Sequence, residues 1–415
     1  MNNKLIRKDV LCRVCSSNNI ETVVKLNDTP LEDQFVDKAY KHNEQRAFPL
    51  ELAICKDCGY MHLPHIVSPE VSYVDYLYKS STTPGLGSHY DQYAKDIVDR
   101  YSIPKKSLIV DLGSNDGSML ASFKKQDMNV IGVEPATLIA DYANQSGITT
   151  INGFFSDEVV SGIVQDYGKA EVITANYMFA NVDDIISFTN SVESLLSDSG
   201  VFVIETGYHP EQFKIKMFDY IYHEHFSYFT VGVLASLLNK CGLEMIDAEK
   251  TEPKGGSIRV VAQSCNGKRV IKPSVKKIID EEDLNGIYNI DTYSRFSDSI
   301  QKIKRELTAL LSSIKDKGGS IVGLGASHST TTLIYHFELH EFIEYIVDDN
   351  EIKQGLYSPG HHIPVYSTSK IYSDKPDYVI ILAWQHRNSI LKRHKEFVEN
   401  GGKFIIPLPV IRIVD

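Results

Sequence analysis

Short apolar runs rich in β-branched residues recur through the middle of the chain, with helical spacing between them. Leu108-Ile-Val-Asp-Leu, Val130-Ile-Gly-Val-Glu, Val172-Ile-Thr-Ala-Asn and Val201-Phe-Val-Ile-Glu each fit a buried strand. Their alternation with helices predicts βαβ units and a parallel sheet. Leu243-Glu-Met-Ile and Ser257-Ile-Arg-Val-Val-Ala predict a closing antiparallel pair. Residues 271–293 are charged and weakly periodic, and read as a connector. A long helix is predicted over 293–317, with Ile300, Ile303, Leu307, Leu310 and Leu311 on one face. Four more runs then predict a second parallel unit: Ser320-Ile-Val-Gly-Leu, Phe342-Ile-Glu-Tyr-Ile-Val, Tyr378-Val-Ile-Ile-Leu and Lys403-Phe-Ile-Ile-Pro. Ahead of all these, two β-like runs (Glu21-Thr-Val-Val-Lys and Leu50-Glu-Leu-Ala-Ile) lie among paired cysteines. The expectation is an α/β protein in three parts: a metal-binding domain over 1–75, a Rossmann-like domain over 76–265 and a second Rossmann-like α/β domain over 266–415.

The net charge of −11 argues against a nucleic-acid polymer as partner. No run of 18 apolar residues occurs, so no membrane span is expected. The first fifteen residues lack the apolar stretch of a signal peptide, which points to the cytoplasm. A monomer is expected.

The cysteine pattern is the first chemical signal. Cys12 and Cys15 are separated by 39 residues from Cys55 and Cys58, which supplies four thiolates in two knuckles. Four soft ligands suit tetrahedral Zn²⁺ with no open position, hence a structural ion. His62 and His65 read as ordinary polar residues, and Cys241 and Cys265 as isolated thiols.

Val110-Asp-Leu-Gly-Ser-Asn-Asp-Gly-Ser118 follows a strand and opens a helix. Its G-x3-G spacing departs from the dinucleotide fingerprint. Gly113 and Gly117 permit close backbone approach. Glu134 lies 21 residues after Gly113, where a strand-ending acid can accept both hydroxyls of a ribose. Asp111, Gly113, Asn115, Gly117, Glu134 and Asn176 are the expected cofactor-binding residues, and the order of elements fits an S-adenosylmethionine (SAM) site.

The densest chemistry lies at Asp219-Tyr-Ile-Tyr-His-Glu-His-Phe-Ser-Tyr-Phe229. His225 is the first candidate for the base, since an imidazole titrates near working pH; Glu224 orients it or serves a substrate hydroxyl, and the Tyr222 phenol donates to a developing oxyanion or acts as the base itself. Tyr222 and His225 share a face if this segment is helical. Asn176 to Asn181 sits after a strand, at the edge where α/β sheets bind ligands. Tyr76 and Tyr78 add phenols. Gly323-Leu-Gly-Ala-Ser-His328 resembles a dinucleotide turn whose third glycine is replaced by His328, and fits a tightly packed or phosphate-accepting turn. Lys353, Gly355, Tyr357, His361, His362, Trp384 and His386 lie on later loops, where they either grip a nucleotide or face solvent.

Taken together, the chain resembles the sugar C-methyltransferases that build methyl-branched deoxysugars. The carriers are the two cysteine pairs, Pro30-Leu-Glu-Asp-Gln-Phe35, Tyr76-Leu-Tyr-Lys-Ser-Ser-Thr82, the Val110–Gly117 turn, Tyr222–Phe229, Gly255-Gly-Ser-Ile-Arg259 and Gly323-x-Gly-Ala. The resemblance implies a zinc domain, a class I SAM methyltransferase domain and a C-terminal domain that helps hold a nucleotide sugar. It implies methylation at C3 of a TDP-linked 4-keto-6-deoxy sugar, with Tyr222, Glu224 and His225 catalytic and Tyr76 in support. Tyr78, Asn181, Lys254, Arg259, Lys353, Tyr357 and His361 are the expected substrate contacts. One departure is Asn181, where the family pattern leads one to expect histidine; an amide cannot relay a proton. Three other readings stay open: a SAM-dependent O- or N-methyltransferase, an NAD-linked nucleotide-sugar oxidoreductase using the Gly323 turn, and a non-catalytic zinc scaffold.

Overall fold

The structure is a computed structural model that describes residues 5–68, 80–82 and 85–415. Its N-terminal part holds β1 (Ile6–Lys8), β2 (Ile20–Lys25), β3 (Glu51–Cys55), β4 (Met61–His62) and β5 (His65–Val67). The central part holds β6 (Leu108–Leu112), β7 (Asn129–Glu134), β8 (Thr150–Asn152), β9 (Ala170–Asn176), β10 (Leu196–Gly207), β11 (Ser227–Tyr228), β12 (Leu243–Thr251) and β13 (Ser257–Ser264). The C-terminal part holds β14 (Ile321–Leu324), β15 (Ile346–Asp348), β16 (Val365–Ser367), β17 (Tyr378–Ile381), β18 (Lys403–Ile406) and β19 (Arg412–Val414).

The central sheet has the order β12-β13-β10-β9-β6-β7-β8. Only β13 runs against its neighbours, pairing antiparallel with both β10 and β12. Strand order reverses at β6, between β7 and β9, so the connecting helices diverge there and open a crevice at the strand ends. The motifs at Gly113, Glu134 and Asn176 are brought to this crevice because each ends one of those strands. The C-terminal sheet, β16-β15-β14-β17-β18-β19, repeats the design with an antiparallel edge at β19.

The four-stranded antiparallel sheet of the N-terminal part is completed from outside. Its order is β11-β4-β3-β2, and β11 comes from the segment after His225. Tyr60 and Ser227 hydroxyls bond across this junction at 2.5 Å. One apolar cluster then runs from Leu50, Leu52 and Ile54 through Phe218 and Phe226 to Trp384 and Phe404, so the N- and C-terminal parts share a core. The long helix spans Ile290–Asp316 and buries Tyr293, Phe296, Ile300, Ile303, Leu307, Leu311 and Ile314.

Residues 271–293 are not a plain connector, since Pro273–Leu284 is a helix. Its inner stripe is Val275, Ile278 and Glu282, and the acid breaks the apolar pattern that would have announced it. Glu282 is buried and accepts from the Val231 and Gly232 amides (2.6 and 3.0 Å) and from the Tyr208 and Tyr288 hydroxyls (2.7 and 2.8 Å). It therefore caps the helix Val231–Lys240 from a distant segment, where carboxylate charge suits the dipole. Glu282→Ala strands these donors and is expected to cost about 3 kcal/mol or more. An unchanged thermal midpoint would contradict this assignment.

Candidate active site

A cleft of about 1440 Å³ joins the crevice of the central sheet to the Tyr222–His225 segment and to the C-terminal part. That is larger than the ~300–1,000 Å³ of a usual small-ligand pocket, and gives room for two ligands side by side. Gly113, Asn115, Glu134, Asn176, Asn181, Tyr222, Glu224, His225 and Lys254 all line it. His328, Trp384 and His386 line it from the C-terminal part.

On the cofactor side, Glu134 is buried at the end of β7. Its two oxygens accept from the Asn115 and Ala136 amides at 2.9 Å, and burial raises its carboxyl. Phe154, Phe155, Met178 and Val182 line the cleft beside it, an apolar berth next to a diol-binding acid. This donor set fits an adenosine. Asp111 lies one layer behind: Thr174 donates to it at 2.6 Å, and burial pushes its carboxyl up to about 7. Gly113 and Gly117 are left-handed (φ 66° and 77°), and a Cβ on either would meet Met178 or Ile148 within 2.9 Å. Their immediate need is close packing.

The opposite wall is a turn rather than a helix. The His225 amide bonds the Tyr222 carbonyl at 3.0 Å, which closes a β-turn and stacks the two rings at 4.0 Å. His225 Nδ1 lies 3.1 Å from the Tyr220 carbonyl, which can only accept. Nδ1 therefore carries the proton, and Nε2 accepts the Tyr222 hydroxyl at 2.9 Å. Burial pushes the imidazole down to about 3, so it stays neutral at working pH. Burial, and then Tyr220 and Glu224, holds the Tyr222 phenol well above 10. Glu224 does not orient His225, because Tyr220 does. Its carboxyl faces the cleft and is held well above the usual range by burial, with Glu32 and Asp33 adding to the rise.

The turn is clamped from three sides; among the clamping residues only Trp384 was a candidate from the sequence, as a nucleotide or solvent contact, and it serves as a hydrogen-bond donor to the turn instead. Glu32 accepts from the His223 amide and ring Nδ1 at 2.6 and 2.9 Å, with both side chains fully buried. Thr332 donates to the Ile221 carbonyl at 3.1 Å. Asp219 accepts from the Trp384 indole and the Gln385 amide at 3.0 and 2.9 Å. The one available signal was Pro30–Phe35, which the resemblance quoted without a role.

Four expected substrate contacts are not brought to the cleft wall. Arg259 lies opposite Glu205 in the β10–β13 register, bonds it at 2.7 Å and sits 4.1 Å over Tyr93. Lys353 is held by Asp33 and the Ala326 carbonyl at 2.5 and 2.8 Å. Tyr357 exchanges backbone hydrogen bonds with Val36. His361 stacks on His340 at 3.6 Å and on Tyr335 at 4.1 Å. Each has a structural partner that answers for its position. Tyr76 and Tyr78 lie outside the described residues. Just beyond them, the Ser80 and Ser81 amides bond Asn115 and Asp116 at 2.8 Å. The Gly323 turn is a packing device, since a Cβ on Gly325 would come 2.5 Å from Ala383.

The four cysteine sulfurs lie within 4.8 Å of one another, with Cys12 to Cys58 at 3.6 Å and Cys15 to Cys55 at 3.5 Å. Such spacing suits four Zn–S bonds of about 2.3 Å in a tetrahedron. His62 is no part of the group; it stacks on Tyr60 at 5.2 Å.

Comparison with known proteins agrees part by part. Residues 12–73 match a zinc binding domain family, 86–248 a methyltransferase domain and 252–409 the C-methyltransferase C-terminal domain. The chain is 33% identical over 404 residues to the C-methyltransferase NovU of Streptomyces niveus, which covers 97% of this chain and 96% of that protein. Among solved structures, an S-adenosylmethionine-dependent methyltransferase from Clostridium acetobutylicum is 11% identical, with a TM-score of 0.34, over 44% of this chain and 92% of that one. The CcbJ methyltransferase of Streptomyces caelestis is 12% identical, with a TM-score of 0.35, over 46% and 95%. The match to NovU along nearly the whole of both chains is what decides the matter: this protein belongs to the C-methyltransferase family, an S-adenosylmethionine-dependent enzyme with a four-cysteine zinc site.

Proposed function

We propose that the enzyme methylates C3 of a TDP-linked 4-keto-6-deoxy sugar by way of an enolate. The observation that carries this reading is the Tyr222–His225 pair, aimed into the same cleft as Glu134 and Asn176. Three parts, over 1–75, 76–265 and 266–415, would divide zinc binding, cofactor binding and grip on the nucleotide sugar.

A C–H bond beside a ketone yields its proton only to a positioned base, and a phenol held above 10 is a poor base alone. Tyr222 and His225 act as one unit. The Tyr222 oxygen takes the C3 proton while its own proton passes to His225 Nε2, and the anchored Nδ1–H keeps the ring aimed. Glu224 accepts from a sugar hydroxyl. Glu134 and Asn176 hold the cofactor, with Asp111 behind them, and Asn181 offers the sugar an amide. S-adenosylmethionine supplies the electrophilic methyl group, and alignment carries much of that step. With the cofactor bound, C3 would take its methyl group as the C–S bond breaks, and the proton on His225 leaves to solvent.

The test is incubation of the sugar in D2O with S-adenosylhomocysteine present. Enzyme-dependent deuterium at C3 is expected. Tight binding of both ligands without exchange at any carbon would turn the assignment to transfer onto oxygen or nitrogen.

A further inference from the structure

The cleft lined by the Tyr222–His225 turn also holds a cation that the proton transfer above does not use. Lys254 lies in the loop between β12 and β13, within Pro253-Lys-Gly-Gly256. Three successive residues there are left-handed: Lys254 at φ 53°, Gly255 at 79° and Gly256 at 114°. The glycines suit that backbone, and a Cβ on them would strike Met217 or Glu211. Lysine takes it at a cost, and that backbone fixes the direction in which its side chain leaves the loop.

The strain is matched on the facing loop. Tyr177 also stands at φ 54°, directly after Asn176, and its ring lies 4.1 Å from the Lys254 ammonium. The Tyr177 hydroxyl is fixed by Glu205 at 2.8 Å, so the ring is a set platform. Two left-handed side chains thus meet at the mouth of the cofactor crevice. Among the described residues the ammonium has no hydrogen-bond acceptor. It is exposed, but to the interior of the cleft that Glu224, His225 and His328 also line. Seclusion from bulk water lowers its proton affinity to about 8, against the pull of Glu224 and Glu205, so most of it is charged near neutrality.

We propose that Lys254 is a catalytic residue, whose ammonium binds the C4 oxygen of the sugar as negative charge develops there. This rests on the enolate reading above and completes it. As the C3–H bond breaks, its electron pair spreads onto the C4 oxygen, which needs a cation on the side away from the base. Lys254 donates a hydrogen bond and keeps its proton; the pair returns to carbon when the C3–CH3 bond forms. The Tyr177 ring holds the ammonium in place until the sugar arrives.

The experiment compares wild type, Lys254→Gln and Lys254→Arg for C3 exchange in D2O at saturating TDP-4-keto-6-deoxy sugar, with the sugar dissociation constant measured alongside. Lys254→Gln is expected to lower the exchange rate about 10²-fold, the usual effect of losing one oxyanion donor. Sugar affinity should change less than about threefold, and Lys254→Arg should recover much of the rate, since it keeps the charge. Exchange at the wild-type rate in Lys254→Gln would overturn the proposal. So would weakened sugar binding with normal exchange at saturation, which would make Lys254 a phosphate anchor. Absence of exchange in the wild type would instead overturn the enolate reading itself.

Discussion

Replacing His225 with alanine should reduce both C3 exchange and methyl transfer by at least about 10³-fold, while S-adenosylhomocysteine binds as before. Positioned acid–base groups contribute roughly 10²–10⁴-fold. The upper part of that range is expected because the proposed base is a pair. Without the Nε2 lone pair, Tyr222 has nowhere to send its proton, and burial disfavours the bare phenolate. Tyr222→Phe removes the oxygen proposed to take the C3 proton and should cost a similar factor. The double variant should be little worse than either single one, because groups that act as a unit do not add. Fully additive losses would show that the two residues work in separate steps. Exchange at normal rate in both would remove this turn from the chemistry altogether.

Loss of one zinc ligand should have the largest effect on stability. Cys55 ends β3, which pairs β4, which in turn pairs β11 just after the catalytic turn. Cys55→Ser should therefore abolish zinc retention, lower the thermal midpoint by roughly 10 °C or more and loosen the turn as well. Metal analysis beside a melting curve checks this. A zinc-free variant with an unaltered midpoint would show that the thiols hold nothing the fold depends on.

What could be read from sequence was what is local. The strand runs, the Gly113 turn, the strand-ending Glu134 and the two cysteine knuckles are written within a few residues each. The Tyr222–His225 pairing was anticipated from an i, i+3 spacing, though a β-turn and not a helix brings the rings together. The clamp on that turn was out of reach, because Glu32 and His223 are 191 positions apart. The partner of Arg259 was hidden for a related reason. The resemblance through Gly255-Gly-Ser-Ile-Arg259 points to a ligand contact, whereas only the strand register reveals Glu205 facing it. Glu282 hid a helix by standing where an apolar residue was expected, and its four partners lie 6 to 74 positions away.

The N-terminal sheet borrows β11 as its edge strand, and that loan sets a timetable. A ribosome delivers β2, β3 and β4 early, yet their last partner emerges only after most of the central sheet has been made. Until then β4 presents an unpaired edge, the kind of surface that invites association with other chains. The Tyr222–His225 turn, directly before β11, gains this anchor only when the edge is closed. Nascent chains halted before residue 227 should thus be open to proteolysis and self-association even with their zinc in place, and the active site should be among the last things the molecule acquires.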